Sequence, residues 1–337
     1  MPAPLLSIRN LRTYFHLDEG VLKAVDGVNL DLQPGQTLGI IGESGSGKSV
    51  MARSVMRLVM PPGRIAAGSQ ILLSVDGKDP LDIAQLPFES KALRQIRGRL
   101  ISMIFQEPMT SLSPVHKVGF QIAEAALLHV TKDRKEARAI ALDRLTRVGI
   151  PNPERTLEAY PHELSGGLRQ RVMIAMALAC RPKVLIADEP TTALDVTVQW
   201  QILRLMAELR DDFGMSILYI THDLGVVAQI AETVAVMYLG QIVETADVLT
   251  IFEHPQHPYT QSLLRSIPHV GRRSRERLEA IAGTVPMPIN LPVRCRFADR
   301  CQSAFSDCFE VAPALVEGQP GHAVRCFLHS KEIEQHG

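Results

Sequence analysis

The residues Gly42-Glu43-Ser44-Gly45-Ser46-Gly47-Lys48-Ser49 have the types and spacing that grip a chain of phosphates. They meet the pattern G-x-x-x-x-G-K-[ST] at every fixed position. Glycines let backbone N–H groups converge on phosphate oxygens, and a helix that starts there adds the positive end of its dipole. Lys48 is placed to reach the β- and γ-phosphates, and the Ser49 hydroxyl is a hard oxygen ligand for Mg²⁺. A glycine- and serine-rich turn can arise by chance. Here both flanking elements are right: Thr37–Ile41 reads as a buried strand, and Ser49–Val59 reads as a helix. The motif implies a nucleotide but does not separate transporter, kinase and GTPase.

A second set of polar groups lies at strand ends. Val184-Leu185-Ile186-Ala187 is an apolar run that delivers Asp188 and Glu189 at its tip, where Pro190 stops it. An apolar strand carrying Asp to Mg²⁺ completes the phosphate-loop chemistry, and the adjacent Glu189 is the natural base for a water. The strand Ile101–Phe105 ends at Gln106, placed to sense Mg²⁺ or that water; from position alone it is equally an ordinary loop glutamine. His222 follows the strand Ser216–Ile220, where a lone histidine is usually structural. In Leu164-Ser165-Gly166-Gly167-Leu168-Arg169-Gln170-Arg171, Ser165 caps a helix running to Ala179, and two glycines leave its N-terminus bare to an anion. Tyr14 and Phe15 offer an aromatic face that either packs in the core or stacks on a base.

These groups need a frame. Leu5–Phe15 and Ala24–Leu32 read as antiparallel, hairpin-like strands set before a parallel nucleotide-binding core. Residues 118–129 and 133–149 read as helices, the second with Ala137, Ile140, Ala141, Leu145 and Val148 on one face. That stretch has helices and no strands, so it reads as a helical insert. Trp200 lies off the apolar stripe of the helix after Asp195 and receives no role. The 337 residues suffice for one large domain and a smaller one. Lys+Arg equals Asp+Glu at 36 each, which provides no general basic field for nucleic acid. No apolar run reaches the ~20 residues of a membrane-spanning helix. Residues 1–10 show no secretory pattern, so a cytoplasmic protein without disulfides is expected.

Together these motifs resemble the ATP-binding cassette (ABC) transporter ATPases over nearly all of residues 5–266. Gly42–Ser49 is the phosphate loop, Gln106 the Q-loop glutamine and Ser165-Gly166-Gly167 the signature. Leu168 stands where the family most often has Gln, a departure that touches a side-chain contact and not the backbone ones. Asp188-Glu189 closes the second nucleotide motif, Ala193-Leu194-Asp195 is the D-loop and His222 the switch histidine. Phe15, rather than Tyr14, aligns with the adenine-stacking aromatic. Glu43, the stretch Phe105–Pro114 and His257-Pro258-Tyr259-Thr260 are closer still to dipeptide and oligopeptide importer ATPases.

The resemblance implies an α/β P-loop NTPase of the ABC type, with an antiparallel β subdomain, a helical insert and a small Cys-rich C-terminal region. Residues 1–268 would form the ATPase domain, with the insert at about 107–180, and 269–337 a C-terminal tail. It implies ATP and Mg²⁺, the latter held by Ser49, Gln106 and Asp188. It implies a peripheral subunit on the cytoplasmic face of the inner membrane, working with two permease subunits docked on the insert. A second, related cassette completes the pair, and an extracytoplasmic solute-binding protein acts indirectly. Two cassettes would face head to tail, with ATP between one phosphate loop and the other's signature. The rival reading is a soluble cassette acting on nucleic acid or ribosomes; it would favour coiled-coil inserts or a second cassette, and neither is present. Intact Lys48, Asp188, Glu189 and His222 argue against a binding module that has lost its chemistry.

Past Pro268 the texture changes. Arg272–Arg277 is a charge run, and residues 285–292 read as extended or loop. Cys295, Cys301, Cys308 and Cys326 follow. Four clustered thiols in a reducing compartment suggest a metal, although the tight pairs usual at zinc are missing. Similar tails in the importer ATPases carry a [4Fe–4S] cluster, which places that reading before zinc and before four free thiols. Cys180 reads as core packing.

Overall fold

Alternation of buried and exposed side chains builds the first sheet. In β1 (Leu6–Leu17) Leu11 and Thr13 are buried and Arg12 between them is exposed. β2 (Gly20–Leu32) returns after a two-residue turn and buries Val28, Leu30 and Leu32. β3 (Thr37–Ile41) is buried throughout, and α1 (Lys48–Val55) follows it. The helix stops four residues before the sequence suggests, because Met56 caps it and Arg57 turns left-handed at φ 54°. β4 (Gly63–Ile65), β5 (Gln70–Leu73) and β6 (Leu81–Asp82) complete a sheet of order β2-β1-β5-β6, with β4 also on β1. β1 and β5 are antiparallel, Leu6 facing Leu73 and Ile8 facing Ile71.

The computed structural model describes residues 3–75, 77, 79–106, 111–192, 194–266, 281 and 283–329. Residues 107–110, Ala193 and the 272–277 charge run lie outside them. Contacts divide the chain into two units. The first holds the sheet just described and resumes at Ile220; the second comprises Leu32–Gln36 and Gln85–Tyr219.

In the second unit α2 (Lys91–Ile96) leads to β7 (Ile101–Ile104). Then come α3 (Val118–His129), α4 (Arg134–Arg147), α5 (Pro153–Glu158) and α6 (Gly166–Ala177). Among the described residues this insert contains no strand. Ala137, Ala141, Leu145 and Val148 form the buried face of α4 and its end, as their spacing requires; Ile140 is only half-buried. β8 (Val184–Asp188) is buried at every position, pairs parallel with β7 and ends at Asp188. α7 (Val196–Phe213) starts at Asp195, whose carboxylate accepts from Val198 N–H at 2.9 Å, and ends at left-handed Gly214. β9 (Ser216–Thr221) lies beside β8, its last two residues already in the first unit.

The chain then returns. α8 (Leu224–Ile230), capped by Asp223, precedes β10 (Thr233–Tyr238), which runs parallel to β3. β11 (Gln241–Asp247), α9 (Val248–Glu253) and α10 (Pro258–Arg265) follow. The cysteine region contributes α11 (Ser306–Glu310), β12 (Val316–Gln319) and β13 (His322–Val324). β13 adds to β11, with Glu244 opposite Val324, so the C-terminal segment extends the sheet that holds β3. Glu244, fully buried, accepts from Gln256 N–H at 2.6 Å and His257 N–H at 3.0 Å, and lies 2.8 Å from His322 Nε2. Phe297 enters the same core as Ile41, Val236, Tyr238 and Tyr259 at 2% exposure. Burial of such a ring is worth about 1.5–3 kcal/mol, so this segment shares the core of its unit.

Candidate nucleotide site

The phosphate loop is packed as tightly as its glycines suggest. A Cβ on Gly42 would stand 2.1 Å from the Met237 carbonyl oxygen, and one on Gly47 2.2 Å from that of Ala24. Both fixed glycines are therefore steric necessities, apart from any phosphate. Lys48, 5% exposed, directs Nζ to the carbonyls of Gly42 (2.7 Å) and Glu43 (3.0 Å) and to Ser46 Oγ (3.3 Å). Ser46 O accepts from Gly240 N–H at 2.8 Å. Ser44 and Gly45 are exposed on the loop, and Ser49 opens α1 beside Lys48.

The loop is also held from the far end of the chain. Glu43 N–H donates to Tyr259 Oη at 2.8 Å. Its carboxylate receives both Arg300 nitrogens, at 2.7 and 3.0 Å, in a fork-to-fork pair. A second arginine, Arg296, bonds Asp26 and the Leu239 carbonyl, and Tyr14 Oη bonds the same Asp26. Burial alone would push the Asp26 carboxyl up; the Tyr14 hydrogen bond and the Arg296 guanidinium more than offset it and hold it low. Burial and Asp26 together push Tyr14 up to about 12. Strand alternation gives Phe15 the opposite face from Tyr14, where it packs on Gly63.

In the second unit the acidic tip of β8 is organised around Glu189. Asp188 is 2% exposed. Glu189 sits just past the strand in the left-handed region, at φ 49°. That conformation costs a non-glycine residue on the order of 1 kcal/mol and persists only where its surroundings impose it. Its carboxylate is also held: Gln106 Nε2 donates to Glu189 Oε2 at 3.0 Å, and Thr192 Oγ1 donates to the same oxygen at 3.1 Å. Gln106 and Glu189, far apart in sequence, are thus brought together.

The signature heads α6. Ser165 Oγ accepts from Leu168 N–H at 3.4 Å, the cap the sequence implies, so Leu168 contributes its backbone here. Ser165 and Gly166 are exposed, and among the described atoms a Cβ on Gly166 would meet nothing within 4 Å. Asp195 caps α7, and His222 is exposed before α8. His222 and the phosphate loop belong to the first unit; Gln106, Ser165, Asp188, Glu189 and Asp195 belong to the second.

Comparison with known proteins follows the same lines. The model described as "ABC transporter" matches residues 25–192. A probable peptide ABC transporter ATP-binding protein of Sinorhizobium fredii, y4tR, is 50% identical over 98% of this chain and 96% of its own. The chain belongs to the ABC transporter ATP-binding family. An oligopeptide transport ATP-binding protein of Bacillus subtilis, AppD, is 49% identical to this cassette, covering 97% and 98% of the two chains. The dipeptide transport ATP-binding protein DppD of Haemophilus influenzae is also 49% identical, over 92% of each. A second family model, "Oligopeptide/dipeptide transporter, C-terminal region", matches residues 243–308. Among solved structures, the dimeric post-hydrolysis cassette MJ0796 bound to ADP and Pi aligns with a TM-score of 0.62 at 26% identity, over 72% of this chain and 98% of that one. CbiO1 of Clostridium perfringens, part of a complex named cbiONQ, gives 0.61 at 27%, over 75% and 92%. The ABC cassette fold and its ATPase activity are those of this chain.

In this cassette the four cysteines of the tail share one neighbourhood. Cys295 N–H donates to the Cys308 carbonyl at 3.1 Å, and Cys295 and Cys301 pack on the core around Phe297. Cys326 feels the other three electrostatically, although burial is the main cause that pushes its thiol up to about 11. Burial likewise raises Cys295 and Cys301. The thiols thus share a neighbourhood and the donor set suits a soft metal. Yet among the described residues no three His, Cys, Asp or Glu side chains close on a metal position. The metal ligation read from the sequence stays a proposal, taken up below. Cys180 is half-buried and donates to the Ala125 carbonyl at 3.4 Å, in keeping with packing.

Two groups escaped the sequence reading. Tyr259 lies in the His257–Thr260 motif, read only as a mark of one branch, and it proves to hold the phosphate loop. Arg296 and Arg300 each adjoin a cysteine, and no local spacing ties either to a partner at the other end of the chain. Their partners, Asp26 and Glu43, are more than 250 residues away in sequence.

Proposed function

We propose that this cassette hydrolyses ATP to energise an importer of di- or oligopeptides or a related solute. Support for the solute class comes from the peptide, oligopeptide and dipeptide names of its relatives and from the matching C-terminal region. Those names leave the nucleic-acid and ribosome alternative without support. In our reading the backbone of Gly42–Gly47 and the Lys48 amine bind the triphosphate, and Phe15 stacks on the adenine. Ser49, Gln106 and Asp188 are the hard oxygen donors for Mg²⁺, which when bound neutralises β- and γ-phosphate charge. Glu189 takes a proton from the attacking water, and His222 holds water and γ-phosphate in register. Positioning and charge neutralisation then supply most of the rate.

Ser165, Gly166 and Gly167 reach a triphosphate held by the opposing cassette, and Asp195 borders that junction. The open helix start at Gly166 supports this. The partner is a related chain, and two permeases dock on the insert at the cytoplasmic face of the inner membrane. Exposed Val115, Phe120, Leu128 and Val130 on the insert suit such docking. Among the described residues no helix is long and apolar enough to cross a membrane. We keep 1–268 as the ATPase domain, with its insert at about 107–180, and 269–337 as a C-terminal extension with respect to motifs. For the four cysteines we retain a [4Fe–4S] cluster ahead of zinc, on the donor set and its shared neighbourhood. Iron and sulfide assays after anaerobic purification test it: about four of each per chain are expected, and a colourless protein with stoichiometric zinc overturns it.

The observation that carries hydrolysis is the strained Glu189, gripped by Gln106 and Thr192. Glu189→Gln should retain ATP binding and lose turnover by about 10²–10⁴-fold, the scale of a removed general base. Near-normal hydrolysis by that variant contradicts the assignment.

A further inference from the structure

We propose that Arg300 is a positioning residue of the nucleotide site: it neutralises Glu43 so that the phosphate loop can accept a triphosphate. The inference rests on the ATP-binding reading of that loop. Glu43 occupies one of the variable positions between Gly42 and Lys48, so a carboxylate is built into a loop whose task is to hold anions. Left alone, it would repel every phosphate oxygen placed there. The structure gives it a counter-charge from the other end of the chain. Arg300 meets both carboxylate oxygens, with its own side chain 5% exposed against 26% for Glu43.

The arginine is itself anchored. It lies 3.3 Å from Tyr238 Oη and 3.4 Å from the Gly283 carbonyl, and its guanidinium stands over the rings of Tyr238 and Phe297 at 5.8 and 5.9 Å. The backbone behind it is fixed by the short turn Ala298–Arg300, where Arg300 N–H donates to the Phe297 carbonyl at 3.0 Å. On the loop side, Tyr259 fixes the Glu43 backbone. Both ends of the pair are held before any nucleotide arrives, so the charge compensation carries little ordering cost at binding. The consequence is that a residue of the C-terminal extension completes the phosphate loop of its own chain.

A brace and a neutraliser differ in one testable sign. If Arg300 only stiffens the loop, removal of Glu43 as well cannot repair its loss. If Arg300 cancels the Glu43 charge, removal of that charge does repair it. We would measure ATP affinity of the full chain by calorimetry at low salt. Arg300→Gln should weaken ATP by about thirtyfold, the low end for truncating one partner of a buried charge pair. Glu43→Gln should stay within about twofold of wild type, and the double variant should return to within about threefold. Wild-type affinity in Arg300→Gln, or a double variant as weak as that single one, overturns the proposal. Should Arg300→Gln fail to fold, Arg300→Lys and Glu43→Gln carry the test. Lysine keeps the charge and loses the bidentate fork, so a neutraliser survives where a brace does not. Both should bind within about threefold of wild type, and a tenfold loss in either sinks it. Lys48→Ala serves as the reference. If it binds ATP like wild type, the phosphate-loop reading itself has failed; if it loses ATP while Arg300→Gln does not, only the role of Arg300 falls.

Discussion

The two helix starts assigned to phosphate are held in opposite ways. At α1 the loop is tied down by this chain: Gly42 and Gly47 are wedged under carbonyls, and Ser46 is tied to Gly240. Glu43 is tied to Tyr259 and Arg300. At α6 Ser165 and Gly166 are exposed, while the cap to Leu168, the Arg169 bond to the Leu164 carbonyl and the Arg171 bond to the Val148 carbonyl hold the helix behind them. One end is finished within the fold; the other has the shape of a surface that a second body completes. On the proposals made above, the C-terminal segment supports nucleotide binding and a companion cassette completes the site for hydrolysis.

The largest effect that separates the two ends should come from filling the open one. Gly166→Val leaves the phosphate loop untouched, and its side chain has room within this chain. ATP affinity of the isolated chain should not change. Turnover in the assembled transporter should fall about hundredfold, because an ångström of misplacement at the reacting phosphate costs on that order. A variant that loses ATP affinity in isolation, or hydrolyses normally in the complex, would break the contrast.

A smaller effect should mark the closed end alone. His257 is buried, and its Nδ1 accepts from Tyr259 N–H at 3.0 Å as the cap of α10, the helix that carries Tyr259 to the loop. Burial lowers its pKa from the ordinary 6.5 to about 3. Between those values the unfolded chain takes up a proton that the folded chain refuses. Stability is thus complete above pH 6.5 and is lost on acidification, by at most about 1.4 kcal/mol per pH unit. Urea unfolding at neutral and mildly acidic pH should show this slope. His257→Asn, which keeps a cap acceptor without the proton site, should flatten it. An unchanged slope would remove His257 from the support of the loop.

How much of this was legible follows from the range of the forces involved. The phosphate loop, the acidic tip of β8 and the Ser165 cap are local: fixed spacing, an apolar run and a helix start reveal them. Their chemistry could be read before any fold was known. The grip of Gln106 and Thr192 on Glu189 depends on two strands becoming neighbours, and spacing does not encode that. The Arg300–Glu43 and Arg296–Asp26 pairs join the two ends of the chain, so composition and periodicity are silent about them. The helix after the loop was drawn too long because apolar residues continue to Val59, whereas the backbone turns at Arg57. With the cysteines the reverse happened: chemistry was legible from residue type, but the arrangement that would express it is not closed among the described residues.

The most direct measurement is a structure of the assembled transporter carrying Glu189→Gln with ATP and Mg²⁺. The account predicts that Ser165, Gly166 and Gly167 of this chain lie within hydrogen-bond reach, about 3.5 Å or less, of a triphosphate seated on the opposing cassette, while Gly42–Ser49 holds another. A triphosphate bound at Gly42–Ser49 with every Ser165–Gly167 segment out of reach of any phosphate would contradict it.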